Sequence, residues 1–145
     1  LDENTIIHKL LNVFEYKSEY QRKTSAIQPQ DMYILERIYC SKKTTIKKLT
    51  QQYGIPPSTL TGIIDRLENK ELIERLRTNI DRRAIELIAT PKGKTIVEKH
   101  IKEDILFSNH FFNTLEPEKK EKLKELLEEV LDNIHIDSLF TLNKK

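Results

Sequence analysis

Ser58, Thr59 and Thr61 stand on one side of a short run, Ser58 to Glu68, whose other side is Leu60, Ile63, Ile64 and Leu67. The apolar spacing is i, i+3, i+4, i+7, which predicts a helix with one buried stripe. Short hydroxyls opposite such a stripe can donate to and accept from base edges or phosphate oxygens. A second chemical group follows at once. Leu72-Ile73-Glu74-Arg75-Leu76-Arg77 reads as a strand, and Asp81-Arg82-Arg83 as a turn carrying two adjacent guanidinium groups. An arginine oriented by a neighbouring carboxylate suits a narrow, strongly negative minor groove. Arg66 adds a third cation. It can contact DNA or close an internal ion pair with Asp65 or Glu68.

These groups need elements to hold them. Residues 4–23 predict a first helix, with Ile7, Leu10, Leu11, Phe14 and Tyr20 near helical spacing. Residues 30–41 predict a second, with Ile34, Leu35 and Ile38 inward. Thr45 is a good N-cap for a third over residues 46–53, which Gly54 ends. Pro57 suits the first position of the helix that carries Ser58, Thr59, Thr61 and Gly62. Strands follow at 72–77 and 84–89. Thr90-Pro91 opens another helix with Val97, Ile101, Ile105 and Phe112, and a last helix spans 117–134. That helix carries Leu123, Leu126, Leu127, Val130, Leu131 and Ile134 opposite a face of Lys and Glu. The fold class is mostly α with a small β-wing: a winged helix-turn-helix core between outer helices at both ends. The outer helices leave more apolar surface than a chain this size buries alone, which favours a homodimer.

Composition agrees. Of 145 residues, 37% are hydrophobic and 33% charged, with three glycines and five prolines, which excludes a turn-rich all-β fold. The net charge is only +2. Residues 42–83 hold ten Lys/Arg against five Asp/Glu, whereas the remainder hold fifteen against eighteen. The basic excess therefore sits on the segment with the hydroxyl helix and the arginine turn, where a phosphate-binding face requires it. Lys43 and Thr45 are further candidate phosphate contacts. No apolar run approaches the ~20 residues of a membrane span, and no signal peptide is visible. The expected location is the cytoplasm.

The order of these motifs resembles the MarR family of bacterial transcriptional regulators. The recognition-helix pattern of that family is matched by Ser58-Thr59-Leu60-Thr61, Ile63-Ile64 and Asp65-Arg66-Leu67-Glu68. Leu72-Ile73-Glu74-Arg75 matches its next strand. Asp81-Arg82-Arg83 matches its Asp-x-Arg wing signature, and Leu87-Ile88-Ala89-Thr90-Pro91-Lys92-Gly93 its wing-closing segment. The resemblance implies an N-terminal dimerisation helix (1–27), a DNA-binding region (28–91) and C-terminal dimerisation helices (92–145). It implies a homodimer on double-stranded DNA at a near-palindromic operator, commonly a repressor released by a small-molecule effector. The DNA-binding residues it implies are Ser58, Thr59, Thr61, Gly62 and Arg66 on the recognition helix. On the wing they are Arg75, Arg77, Asp81, Arg82 and Arg83. Three positions depart from the pattern. Pro56 replaces a capping Ser, Gly62 stands where an arginine is common, and Ile80 occupies a usually polar wing position. An operator sequence does not carry over.

Other readings are weaker. Cys40 is the lone cysteine; beside Ile38 and Tyr39 it reads as a buried, inert thiol rather than an oxidant sensor. His100 and His110 are about 15 Å apart along a helix and cannot share one ion within a chain. No metal or cofactor is assigned to His8, His100, His110, His135 or Glu103. Phe14, Tyr16, Tyr20 and Tyr33 read as core, or as the lining of an effector pocket. No glycine-rich phosphate loop or nucleophile constellation is present, so no enzyme is expected. The alternative of another class is a winged-helix protein-interaction or scaffold module.

Overall fold

The computed structural model describes residues 1–77 and 84–140. The element order is α1 (Glu3–Ser25), α2 (Pro29–Ser41), α3 (Ile46–Tyr53), α4 (Pro57–Asn69), β1 (Ile73–Arg77), β2 (Ile85–Ala89), α5 (Pro91–Phe112) and α6 (Pro117–Asn133), then a 3-10 turn at Ile136–Ser138. Local chemistry sets these boundaries. Asp2 accepts from the Thr5 amide at 2.7 Å to open α1, and Ala26 closes it in the left-handed region at φ 57°. The Thr45 hydroxyl accepts from the Lys48 amide at 3.1 Å to open α3, which ends on Gly54 at φ 63°. Prolines at the first position of α2, α4, α5 and α6 place a missing N–H where no helical partner exists.

β1 and β2 form an antiparallel two-stranded sheet, with Ile73 opposite Ala89 and Arg77 opposite Ile85. Thr44, between α2 and α3, adds a bridge to β2: its amide donates to Leu87 O at 3.2 Å, and the Leu87 amide donates back at 2.7 Å. The hairpin is thereby tied to the loop before α3.

The chain divides into two compact units, one spanning Leu1–Asp104 and the other beginning at Ile105. In the first, the core is built from Ile27, Met32, Ile34, Leu35, Ile38, Leu49, Leu60, Ile63, Ile64, Leu67, Leu72, Ile73, Leu87 and Val97. Every member lies between residues 27 and 97. The apolar face of α1 lies outside this core: Ile7, Leu11, Phe14 and Tyr20 are exposed, as is Tyr16. The second unit, among its described residues, contains no buried residue. Leu123 and Leu127 are half-covered, and Leu126, Val130, Leu131 and Ile134 are exposed. Reading Phe14, Tyr16, Tyr20 and Tyr33 as core is therefore corrected, since these rings lie outside the apolar cluster that one chain assembles.

The join between hairpin and α5 depends on one glycine. Thr90 donates its amide to Leu72 O at 3.0 Å and its hydroxyl to Glu71 O at 2.7 Å, while that hydroxyl accepts from the Gly93 amide at 3.0 Å. A Cβ on Gly93 would fall 2.1 Å from Leu72 O, which is backbone and cannot swing aside. Gly93→Ala is expected to destabilise the fold by roughly 1–3 kcal/mol or more, measured by urea unfolding. A stability equal to wild type would show that the α5–β1 approach is looser than described.

Candidate nucleic-acid interface

α4 divides along its length as well as around its circumference. Around it, Leu60, Ile63, Ile64 and Leu67 are fully buried, while Ser58, Thr59 and Thr61 are exposed. The helix has no side-chain cap: Pro56 occupies the cap position, and neither Ser58 nor Thr59 substitutes. The first-turn amides therefore have no side-chain acceptor, leaving a helix N-terminus suited to a phosphate oxygen. The Thr61 hydroxyl donates to Pro57 O at 2.8 Å, so outward it offers an acceptor. Gly62 is half-buried, and Arg66 lies across it.

The C-terminal half of α4 is clamped. Arg66 donates from Nε to Asp31 Oδ2 and from Nη2 to Asp31 Oδ1, both at 2.9 Å. This is the two-bond geometry that makes guanidinium–carboxylate pairs strong and directional. The guanidinium is held in its charged form by these bonds and by the Asp31 charge, which raise its pKa above the ordinary value. On the other side Arg75 of β1 pairs with Asp65, and with Glu68 at 3.2 Å. The Lys70 ammonium donates to Ala26 O at 2.9 Å, and Lys92 donates to Lys70 O at 3.1 Å.

The sequence-derived site residues thus separate into groups. Ser58, Thr59 and Thr61 share one solvent face of α4. Arg77 is exposed at the end of β1, and Lys43 is exposed with its ammonium 3.8 Å from Glu86. Thr45 is occupied as the α3 cap. Arg75 is directed at α4, and Arg66 at Asp31 rather than at Asp65 or Glu68. Asp81, Arg82 and Arg83, with Ile80, lie outside the described residues. Cys40 is exposed, correcting its reading as a buried thiol. It falls off the inward positions 34, 35 and 38 of α2.

Sequence reasoning does not single out Asp31 as the partner of Arg66. Its signal was present: Asp31, Ile34, Leu35 and Ile38 repeat at i, i+3, i+4, i+7, which puts an acid in the buried stripe, where it requires a cation. Asp31 is 2% exposed.

A second feature of this unit is a cavity of about 200 Å³ lined by residues of α1, α2 and α5, among them Lys17, Gln21, Met32, Tyr33 and His100. Three of its lining residues meet Asp104, which accepts from Lys17 Nζ at 2.6 Å and Gln21 Nε2 at 3.0 Å, with His100 Nε2 at 3.4 Å. Burial pushes the Asp104 carboxyl up, but these bonds and the neighbouring cations outweigh it and hold it below the ordinary value. Among the described residues no group of three or more His, Cys, Asp or Glu is placed to hold a metal ion. None of their helices is long and apolar enough to cross a membrane.

Three stacked helices, a two-stranded hairpin and an outward hydroxyl helix define a winged helix-turn-helix protein. Residues 27–85 match the MarR family. It is 33% identical over 76 residues to the uncharacterized HTH-type transcriptional regulator YsmB of Bacillus subtilis, covering 52% of each chain. The chain thus spans about half the length of that relative. YusO protein from Bacillus subtilis superimposes with a TM-score of 0.81 at 18% identity, over 91% of this chain and 93% of that one. Streptococcus pneumoniae FabT, in a structure in complex with DNA, gives a TM-score of 0.77 at 20% identity, over 90% and 96%. At these identities the two structural likenesses concern the fold.

Gly62 allows a test of the face. Its Cβ would meet only Arg66 Nη1, at the ordinary contact distance of 3.5 Å. Gly62→Ala is expected to stabilise the fold by up to about 1 kcal/mol through helix propensity, in thermal or urea unfolding. A DNA-contacting face would lose affinity in the same variant, so stability and binding should move in opposite directions. A destabilised variant would contradict the placement of Gly62.

Proposed function

We propose that this protein is a sequence-specific, double-stranded-DNA-binding transcriptional regulator. The observation that carries the reading is the exposed, side-chain-uncapped N-terminal half of α4, with three hydroxyls opposite a fully buried stripe. Ser58, Thr59 and Thr61 contact bases and phosphates in the major groove, with Gly62 beside them on the same helix. Arg77, Lys43 and the wing residues Asp81, Arg82 and Arg83 supply or orient phosphate and minor-groove contacts. The FabT complex with DNA supports this use of the fold.

The active form is a homodimer. Residues 1–27 and 92–145 supply the interface, because among the described residues Ile7 and Leu11 on α1 and Val130 and Leu131 on α6 are exposed. The protein acts as a repressor on a near-palindromic operator, and a small effector releases it. The cavity lined by Lys17, Tyr33 and His100 is the seat we assign to that effector.

Two measurements check this. Val130 and Leu131 are exposed, so Val130→Asp with Leu131→Asp should leave each chain folded but shift sedimentation from dimer to monomer and abolish tight DNA binding. A monomeric wild type would refute the dimer. Enrichment from a random duplex pool should yield two half-sites about one helical turn, ~10 bp, apart. Inserting about five base pairs between them should rotate one half-site out of reach and cut affinity at least tenfold. Unchanged affinity would exclude the two-fold geometry.

A further inference from the structure

We propose that Asp31, on α2, is a positioning residue for DNA recognition: through its two bonds to Arg66 it sets the angle at which the hydroxyl face of α4 meets the duplex. Arg66 is accordingly committed to the protein and does not contact phosphate. The inference rests on the DNA-binding reading above and gives that site a determinant lying outside it.

Four observations carry it. The Asp31 side chain is 3% exposed, and both its oxygens accept from Arg66. A buried carboxylate in this position is costly unless paired, so the pair opposes any rotation of α4 that would separate the two groups. The fork is planar and bidentate, which fixes direction as well as distance; a lysine ammonium supplies charge without that direction. The pair lies in the half of α4 that is also held by Arg75 from β1 and by Lys70 at Ala26 O. The half bearing Ser58, Thr59 and Thr61 has no such clamp among the described contacts, apart from its buried stripe. Ordered hydrogen bonding at one end thus sets the pitch of the other, where a small tilt moves hydroxyls out of hydrogen-bond range of base edges.

The competing assignment for Arg66 is a phosphate contact. Its side chain is 53% exposed, so a phosphate could reach it. The two roles differ in salt dependence. A phosphate contact contributes about one unit to the salt slope per subunit and acts on all sequences, whereas a positioning residue acts on the preferred sequence and leaves the slope unchanged.

The test uses the full-length protein and a duplex enriched by the wild type from a random pool, with a scrambled duplex as control. Fluorescence anisotropy is recorded across a salt series for Arg66→Lys, Arg66→Gln, Asp31→Asn and the double variant Asp31→Leu/Arg66→Met. The apolar double variant removes the pair without stranding a buried charge, so it serves where a single variant fails to fold. Positioning predicts that Arg66→Lys loses as much as Arg66→Gln on the enriched duplex, roughly tenfold or more, the scale of one misplaced base contact. It also predicts little change on the scrambled duplex, an unchanged salt slope, and the same loss of preference in folded Asp31→Asn and in the double variant. Full retention of affinity by Arg66→Lys would overturn it. So would a slope reduced by about one unit per subunit in Arg66→Gln, or undiminished sequence preference in the double variant. A wild type that binds neither duplex would instead remove the DNA-binding reading itself.

Discussion

The burial of one stripe of α4 governs the rest of this molecule. Leu60, Ile63, Ile64 and Leu67 are each fully inaccessible, and they pack with residues of α2, α3 and the hairpin in a single cluster. At roughly 1.5–3 kcal/mol for each fully buried aliphatic side chain, they anchor the helix firmly against translation. Apolar packing is non-directional, however, and sets depth better than angle. The angle is supplied by the charged contacts around the stripe: Asp31 with Arg66 on one side, Asp65 and Glu68 with Arg75 on the other. Arg66 and Arg75, which look available for DNA in sequence, are thus engaged with carboxylates of the same chain.

Much of this was legible from the residue order. Hydrophobic period and cap chemistry locate α3 at Ile46–Tyr53 and start α4 at Pro57, because Thr45, Gly54 and Pro57 are local signals that need no tertiary context. The hairpin follows for a similar reason, as does the Thr90–Gly93 join that opens α5. The division of labour among the arginines was not legible. Arg66 finds its partner 35 residues away, whereas sequence reasoning looks first to Asp65 and Glu68. Asp31 itself could have been found, since an acid in a buried stripe has to be explained by a partner. Cys40 was misjudged because its neighbours Ile38 and Tyr39 suggested burial, whereas helical phase turns it outward.

The outer helices show the opposite limit. Their amphipathic stripes are clear in sequence, and both helices form. Yet Ile7, Leu11 and Phe14 on α1, and Val130 and Leu131 on α6, remain exposed. A stripe specifies that a face will be buried, and not whether its cover comes from the same chain. That face is why the proposal requires a second copy, and why regulation would act on the geometry between two recognition helices as much as on either alone.

The most direct measurement is amide hydrogen exchange of the dimer with and without its enriched duplex, resolved along α4. The account predicts added protection over residues 58–62 and over the wing, with residues 66–70 changing little because intramolecular bonds already hold them. Protection centred on residues 66–70, or confined to α6 with none at 58–62, would contradict the assignment of DNA reading to the N-terminal half of α4.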